Sequence, residues 1–179
     1  ETDLYEMTKE NTSKYPYLPG MAWTESDKTE VNWAAGNFGG VGTSSTLTDC
    51  LNFIRAHQKA GEVVEKINLV GWSRGGVQCV RIAEHIDIPC NIFAIDPVPG
   101  HRQETNYSKV DELPKNVEQY VSVIAIHDKR NTSFKPLYET MKYPEIDRVL
   151  HLPIPGDHST GAFSSNSVGK IVRHMIIKF

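Results

Sequence analysis

The chain carries four short and nearly unbroken apolar runs, and this pattern restricts its possible folds more than any other feature. The runs are Ile67–Val70, Asn91–Ile95, Tyr120–Ile126 and Arg148–Leu152. A strand that is buried on both faces is apolar at almost every position, whereas a strand with one solvent face alternates. The four runs therefore predict strands of a mostly parallel sheet that is covered on both faces.

Segments with helical spacing separate or follow these runs. Apolar residues recur every three or four positions in Leu47–Ala60, Val77–Ile86 and Val168–Ile176. Gly61 and Pro89 follow the first two segments as stop signals, and Ser165 or Asn166 can cap the third. Strands that alternate with helices predict an α/β fold in which helices cover both faces of the sheet.

Length and charge limit the class of protein. A chain of 179 residues predicts a single compact domain, residues 1–179, with a glycine-rich region at 1–46 and a regular core at 47–179. The formal net charge is −3, which offers no basic field for a phosphate backbone and excludes a general nucleic-acid binder. The chain opens Glu-Thr-Asp-Leu, so we expect a trimmed or processed piece that has lost any targeting signal.

The cysteines and the apolar runs argue against a metal site, a disulfide framework or a transmembrane segment. Cys50, Cys79 and Cys90 are odd in number and lack CxxC spacing, so we expect three small buried side chains. Each apolar run is far shorter than the roughly 18 residues that span a membrane. We therefore expect no metal, no cofactor and no transmembrane segment, although a peripheral membrane contact stays open.

The sharpest chemical signal is the segment Gly71-Trp72-Ser73-Arg74-Gly75-Gly76. A G-x-S-x-G motif between a buried strand and an amphipathic helix predicts a nucleophile elbow, a tight turn that exposes the serine hydroxyl. Glycines two residues on either side of Ser73 would let neighbouring backbone pass closely. The segment predicts Ser73 as the nucleophile of an acyl-transfer reaction.

A serine hydroxyl needs a base, and seven histidines compete for that role. His57, His85 and His174 lie in helical segments, His151 lies in a strand, and His101 and His127 precede the remaining elements of the core. His158 lies in a loop after the last strand, in Pro155-Gly156-Asp157-His158-Ser159. In elbow-type hydrolases the base comes last along the chain. His158 is therefore the predicted base.

Two aspartates can orient the imidazole. Asp96 ends the second strand and precedes a proline, and Asp128 ends the third strand. The carboxyl ends of parallel strands meet at one sheet edge, so both positions suit the acid of a triad. We favour Asp96 and retain Asp128 as the second candidate.

An oxyanion intermediate needs backbone donors. The residue after the nucleophile supplies one of them in this fold class, which predicts the backbone N–H of Arg74. The glycine-rich segment 36–43 is either the source of the second donor, in particular at Gly39 and Gly40, or a flexible surface turn. Trp72, next to the nucleophile, is a candidate substrate contact.

Four of these segments resemble the bacterial type VI secretion lipase effectors, a phospholipase family of the α/β-hydrolase superfamily, and their uncharacterised relatives. Gly40-Val41-Gly42-Thr43 resembles the family's Gly-Val-Gly-Thr loop, and Trp72-Ser73-Arg74-Gly75-Gly76 its Phe-Ser-Arg-Gly-Ala elbow. Ile95-Asp96-Pro97-Val98 resembles its Asp-Thr-Val strand end, and Pro155-Gly156-Asp157-His158-Ser159 its Pro-Gly-Val-His-Ser loop. The resemblance covers roughly residues 38–163 and implies Ser73, Asp96 and His158 as the triad.

The sequence departs from that family in places. Thr160-Gly161-Ala162-Phe163 replaces the family's Asp-Val-Gly-Gly run, and the first strand and the membrane-docking segments of larger members are missing. The resemblance thus implies an α/β-hydrolase-like fold that is reduced at the N-terminus. It also implies a protein secreted or translocated as a bacterial effector; residue patterns alone leave the compartment and any protein partner unknown.

These observations predict a serine esterase of the lipase type that forms an acyl-enzyme on Ser73. A lipid or phospholipid ester is the substrate that the resemblance implies. Two alternatives remain open. One is a thioesterase or protein deacylase with the same triad, and the other is a catalytically silent hydrolase fold that binds a partner protein.

Overall fold

The fold is taken from a computed structural model. The structure describes residues 43–99, 110–126, 136–139, 141–144, 146–162 and 166–179. It shows four parallel strands, and every strand after the first is reached through a crossover from the strand before it.

The sheet has the strand order β1-β2-β3-β4. Its strands are β1 (Ile67–Trp72), β2 (Cys90–Ile95), β3 (Val117–Ala125) and β4 (Val149–Ile154). All three pairings are parallel, so the four carboxyl ends lie at one edge. In parallel sheets of this kind, ligand and catalytic sites form at that edge.

Three helices accompany the sheet. They are α1 (Thr43–Lys59), α2 (Arg74–Glu84) and α3 (Ser167–Lys178). Helix α1 is followed by Gly61, which has φ 82°, and the Glu62 N–H donates to the His57 carbonyl at 3.2 Å, as in a Schellman motif. Helix α3 is capped by Asn166, whose side chain accepts a hydrogen bond from the Gly169 N–H at 2.7 Å.

The apolar side chains form two clusters, one on each face of the sheet. Helices α1 and α2 pack on the first face, where Val77, Val80, Ile92 and Tyr120 are among the most buried residues. Helix α3 covers the second face through Val172, which lies in a cluster with Phe93, Ile95, Val123 and Ile154. The α/β class with helices on both faces is therefore confirmed.

All four predicted strands are present, with shifted ends. The largest shift is in β3, which begins at Val117, three positions before the predicted start. Val117 is buried, but Glu118 and Gln119 are exposed, and these two polar residues concealed the beginning of the strand. The three predicted helices are also present, and none of the described helices is long and apolar enough to cross a membrane.

Candidate active site

Ser73 lies at the turn between β1 and α2 in a backbone conformation that side-chain-bearing residues rarely adopt. Its φ is 55° and its ψ is −125°. The turn is tight: a Cβ added at Gly71 would lie 2.3 Å from the backbone carbonyl oxygen of Gly75. Only glycine fits at position 71, and the close approach holds the serine at the apex of the turn, as in a nucleophile elbow.

The second close approach differs from the prediction. A Cβ at Gly75 would meet nothing within 4 Å, whereas one at Gly76 would lie 3.0 Å from the Pro97 Cβ and 3.3 Å from the Ala94 Cβ. Gly75 thus contributes its backbone to the contact with Gly71, and Gly76 is the glycine that lets α2 pack against β2. The sequence predicted a close backbone approach at both Gly71 and Gly75, and only Gly71 requires glycine for it.

Backbone hydrogen bonds tie the Ser73 turn to the turn that follows β2. The Ser73 N–H donates to the Ile95 carbonyl at 2.9 Å, and the Val98 N–H donates to the Ser73 carbonyl at 3.3 Å. Asp96, between these two partners, also has a positive φ, of 42°. Two strained residues therefore face each other across one pair of hydrogen bonds, and such strain collects at functional sites.

The Asp96 carboxylate is buried, with 1% of the residue exposed, and both of its oxygens have partners. Oδ1 accepts a hydrogen bond from the Ala125 N–H at 3.0 Å. Oδ2 lies 2.6 Å from Nδ1 of His158. A buried carboxylate needs such partners to remain in place, and here a backbone donor fixes one oxygen while the other meets the imidazole.

His158 joins the carboxylate and the serine. Its Nε2 lies 2.8 Å from the Ser73 Oγ, and 17% of its side chain is exposed. A carboxylate can only accept, so the Nδ1–H donates to Asp96 and Nε2 is left to accept from the Ser73 hydroxyl. The structure thus brings three of the predicted site residues into one chain of hydrogen bonds.

The loop that carries His158 is shaped by its neighbour Asp157. The Asp157 Oδ1 accepts from the Ser159 hydroxyl at 2.7 Å, the Ser159 N–H at 3.0 Å and the Thr160 hydroxyl at 3.0 Å. These bonds, that of the Ser159 hydroxyl foremost, hold the pKa of Asp157 below its usual value. Gly156 has φ 123°, and a Cβ there would lie 2.3 Å from the Thr160 Oγ1, so the loop requires glycine at that position.

The two residues that flank Ser73 differ in their contacts. The Trp72 indole N–H donates to the His158 carbonyl at 2.9 Å, and the two rings are 5.5 Å apart between centroids. Arg74 is the first residue of α2, where backbone N–H groups have no acceptor within the helix. Burial lowers the pKa of the Arg74 guanidinium to about 10.

Several predicted site residues lie outside the described part of the chain. These are Asp128, the second acid candidate, and Gly39 and Gly40, the candidates for the second oxyanion donor. His101 and His127 lie outside it as well.

A second serine–histidine pair lies inside the sheet and was not predicted. The Ser122 Oγ on β3 lies 2.7 Å from Nδ1 of His151 on β4, directly opposite in the strand register. Ser122 is fully buried, and the rings of Tyr120, Tyr138 and Tyr143 surround His151 at centroid distances of 6.1, 5.6 and 5.1 Å. A serine within an apolar run was the only sequence signal for this pair.

Among the described residues, neither a metal-binding cluster nor a reactive thiol accompanies this site. Across the described ranges, no three His, Cys, Asp or Glu side chains are grouped so that they could hold a metal ion. Cys50, Cys79 and Cys90 are buried and free, and burial raises the pKa of Cys50 and of Cys90 to about 11. Such thiols are unreactive packing residues.

Comparisons with known proteins identify no family for this chain. No protein-family model and no curated protein matches the chain. Among solved structures it is similar to an uncharacterized protein from Pseudomonas aeruginosa, with TM-score 0.47 and 13% identity over 74% of this chain, which spans 26% of that protein. It is also similar to a protein named "Putative hydrolase" from Agrobacterium vitis S4, with TM-score 0.47 and 19% identity over 76% of this chain and 67% of the other. Likenesses of this degree say nothing about the chemistry of Ser73, His158 and Asp96.

Proposed function

We propose that this protein is a serine hydrolase that cleaves carboxylic esters through an acyl-enzyme on Ser73. One observation carries the proposal. The Ser73 Oγ lies 2.8 Å from Nε2 of His158, and Nδ1 of the same ring lies 2.6 Å from the Asp96 carboxylate. These are the contacts through which a base activates a serine hydroxyl and an acid orients the base.

The reaction follows from the proton positions. His158 Nε2 takes the proton of Ser73 as the oxygen attacks the ester carbonyl, and the resulting imidazolium donates that proton to the leaving alcohol. Water then attacks the acyl-enzyme with the same base, which releases the carboxylic acid and restores the serine. Asp96 keeps the imidazole in the required tautomer and stabilises its transient charge.

The oxyanion that forms on the carbonyl needs donors near Ser73. The Arg74 N–H is the first proposed donor, since it follows the nucleophile at the start of α2, where the helix dipole also favours negative charge. The second donor is proposed in the glycine-rich segment, at Gly39 or Gly40.

The proposed class of ester substrate rests on the resemblance to lipase effectors, which implies a lipid or a phospholipid. One surface feature supports an apolar substrate. Ile126 follows β3 at the carboxyl edge of the sheet, next to the Ala125 N–H that binds Asp96, and it is 56% exposed. An exposed isoleucine at this edge of the sheet suits an acyl chain better than a charged substrate.

Labelling with a fluorophosphonate tests the proposal. We expect the probe to modify Ser73, located by mass spectrometry of the peptide, and we expect Ser73→Ala to prevent labelling. Ser122→Ala is the matched control, because Ser122 also bonds a histidine but is fully buried, and it should be labelled like the wild type. A folded wild-type protein that stays unlabelled would refute the hydrolase proposal and favour the alternative of a catalytically silent hydrolase fold.

A substrate panel separates the remaining alternatives. We expect hydrolysis of p-nitrophenyl esters, with higher kcat/KM for longer acyl chains, and release of fatty acid from phospholipid vesicles. Preference for an acyl thioester over the matching oxygen ester would instead identify a thioesterase or deacylase. A preference for the shortest ester chain would overturn the lipid assignment and leave the esterase assignment intact.

A further inference from the structure

The indole of Trp72 links the strand that carries the nucleophile to the loop that carries the base. Its N–H donates to the backbone carbonyl of His158 at 2.9 Å, across 86 positions of sequence. We propose that Trp72 is a positioning residue, whose indole N–H holds His158 within reach of Ser73. This inference rests on the proposed function and deepens it, because it names what sets the distance between nucleophile and base.

The topology explains why such a link is needed. The loop follows β4, yet its histidine contacts residues that follow two other strands. Asp96 directly follows β2, and Ser73 directly follows β1. Neighbouring strands are about 4.8 Å apart, so His158 acts two and three strands away from the strand that supports it. A backbone that reaches so far from its supporting strand needs an anchor at the far end.

Asp157 does not provide that anchor. Its three acceptor bonds all go to Ser159 and Thr160, and Thr160 in turn accepts from the Asp157 N–H at 2.9 Å. This closed set of bonds fixes the shape of the loop but not its place on the sheet. Trp72, which belongs to β1, contacts the backbone of the loop from the elbow side and so fixes its place.

Trp72 suits this task because of its position along the chain. It is the last residue of β1 and directly precedes Ser73, so one strand end positions both the nucleophile and the anchor of the base. Its side chain is half-buried in the cluster under α3, and the tilted contact of its ring with the imidazole restricts rotation of His158. The Ser73–His158 distance is thereby set by two adjacent residues.

The test compares Trp72→Phe with Val70→Ala. Trp72→Phe keeps an aromatic ring beside His158 and removes the N–H, whereas Val70→Ala removes packing from the same face of β1 within the same cluster. We expect Trp72→Phe to lower kcat and the rate of fluorophosphonate labelling by about 10- to 100-fold, the cost of a small misplacement of a catalytic group. The KM of Trp72→Phe should stay within about threefold of the wild-type value. Val70→Ala should lower Tm about as much as Trp72→Phe does, but its kcat should stay at the wild-type value.

Two kinetic outcomes would overturn the inference. Equal kcat in Trp72→Phe and Val70→Ala would show that only packing matters. A raised KM with unchanged kcat and labelling rate would make Trp72 a substrate contact, as its sequence position predicted.

An NMR measurement keeps the inference separable from the proposed function. The imidazole resonances of His158 can be assigned by their loss in His158→Gln. They should broaden in Trp72→Phe whether or not the protein hydrolyses esters, because the ring is no longer held in one position. A change in shift alone would reflect only the different ring current of phenylalanine. Unchanged line widths would refute the positioning role. Absent labelling of the wild type, with broadened His158 resonances in the variant, would refute the hydrolase alone.

Discussion

The molecule contains two serine–histidine pairs with nearly the same separation and very different surroundings. Ser73 and His158 are 2.8 Å apart at the carboxyl edge of the sheet, and Ser122 and His151 are 2.7 Å apart between β3 and β4. A hydrogen bond between a serine and a histidine is thus present twice, and it does not by itself identify a nucleophile.

Three differences separate the two pairs. Ser73 lies on a strained turn and is half-exposed, whereas Ser122 lies within a strand and is fully buried. His158 has a carboxylate at 2.6 Å, whereas no carboxylate of the described residues contacts His151, whose pKa is lowered by burial. A substrate therefore has access to the first serine only, and only His158 has a carboxylate that orients its ring.

The largest expected difference is between the two histidines. His158→Gln should lower kcat/KM by about 10⁴- to 10⁶-fold, because the serine loses its base. His151→Gln should leave kcat/KM within about threefold, because its serine has no path to substrate. Ester hydrolysis by the two purified variants measures both effects. A comparable loss in the two would mean that the inner pair, Ser122 and His151, takes part in the reaction.

The next effect tests the Asp96 carboxylate, which contacts only the outer pair, Ser73 and His158. Asp96→Asn keeps an oxygen for the Ala125 N–H but removes the charge beside His158, so kcat should fall by about 10⁴-fold with little change in Tm. Asp128→Asn is the companion variant. If it costs more in kcat than Asp96→Asn, Asp128 is the acid and the Asp96 contact is structural.

The third effect concerns backbone strain, which the inner pair lacks. Gly71→Ala would place a methyl 2.3 Å from the Gly75 carbonyl oxygen and should lower the free energy of unfolding by about 3 kcal/mol or more. Gly75→Ala meets nothing within 4 Å and lies in helix α2, so it should be neutral or stabilise by about 0.5–1 kcal/mol. Urea unfolding measures the free energy of unfolding of both variants. Equal losses of that free energy in Gly71→Ala and Gly75→Ala would show that the turn is not as tight as described.

The sequence predicted the first pair and missed the second for physical reasons. The elbow and the Asp96 turn arise from local chemistry, namely glycines, a proline and the ends of apolar runs, and such signals are visible in a single sequence. The contact between Ser122 and His151 depends on the register of β3 against β4, which local patterns do not determine. The bond from Trp72 to the His158 carbonyl is equally non-local, so Trp72 was predicted only as a neighbour of the nucleophile.

The smallest effect is a pH dependence of stability that belongs to the inner pair. Burial lowers the pKa of His151 in the folded protein, while the unfolded chain has a histidine pKa of about 6.5. As the pH falls below about 6.5, the unfolded chain binds a proton that folded His151 resists. The free energy of unfolding should therefore decline until the folded ring is also protonated.

His151→Gln removes this contribution, so the wild type should lose more stability than the variant between about pH 7.5 and pH 5.5. Urea unfolding of both proteins at each pH measures the difference, and the comparison cancels the other titrating groups that the two share. Parallel stability curves would mean that His151 is protonated equally easily in the folded and unfolded chains. The inner pair would then not be the neutral, desolvated contact that distinguishes it from Ser73 and His158.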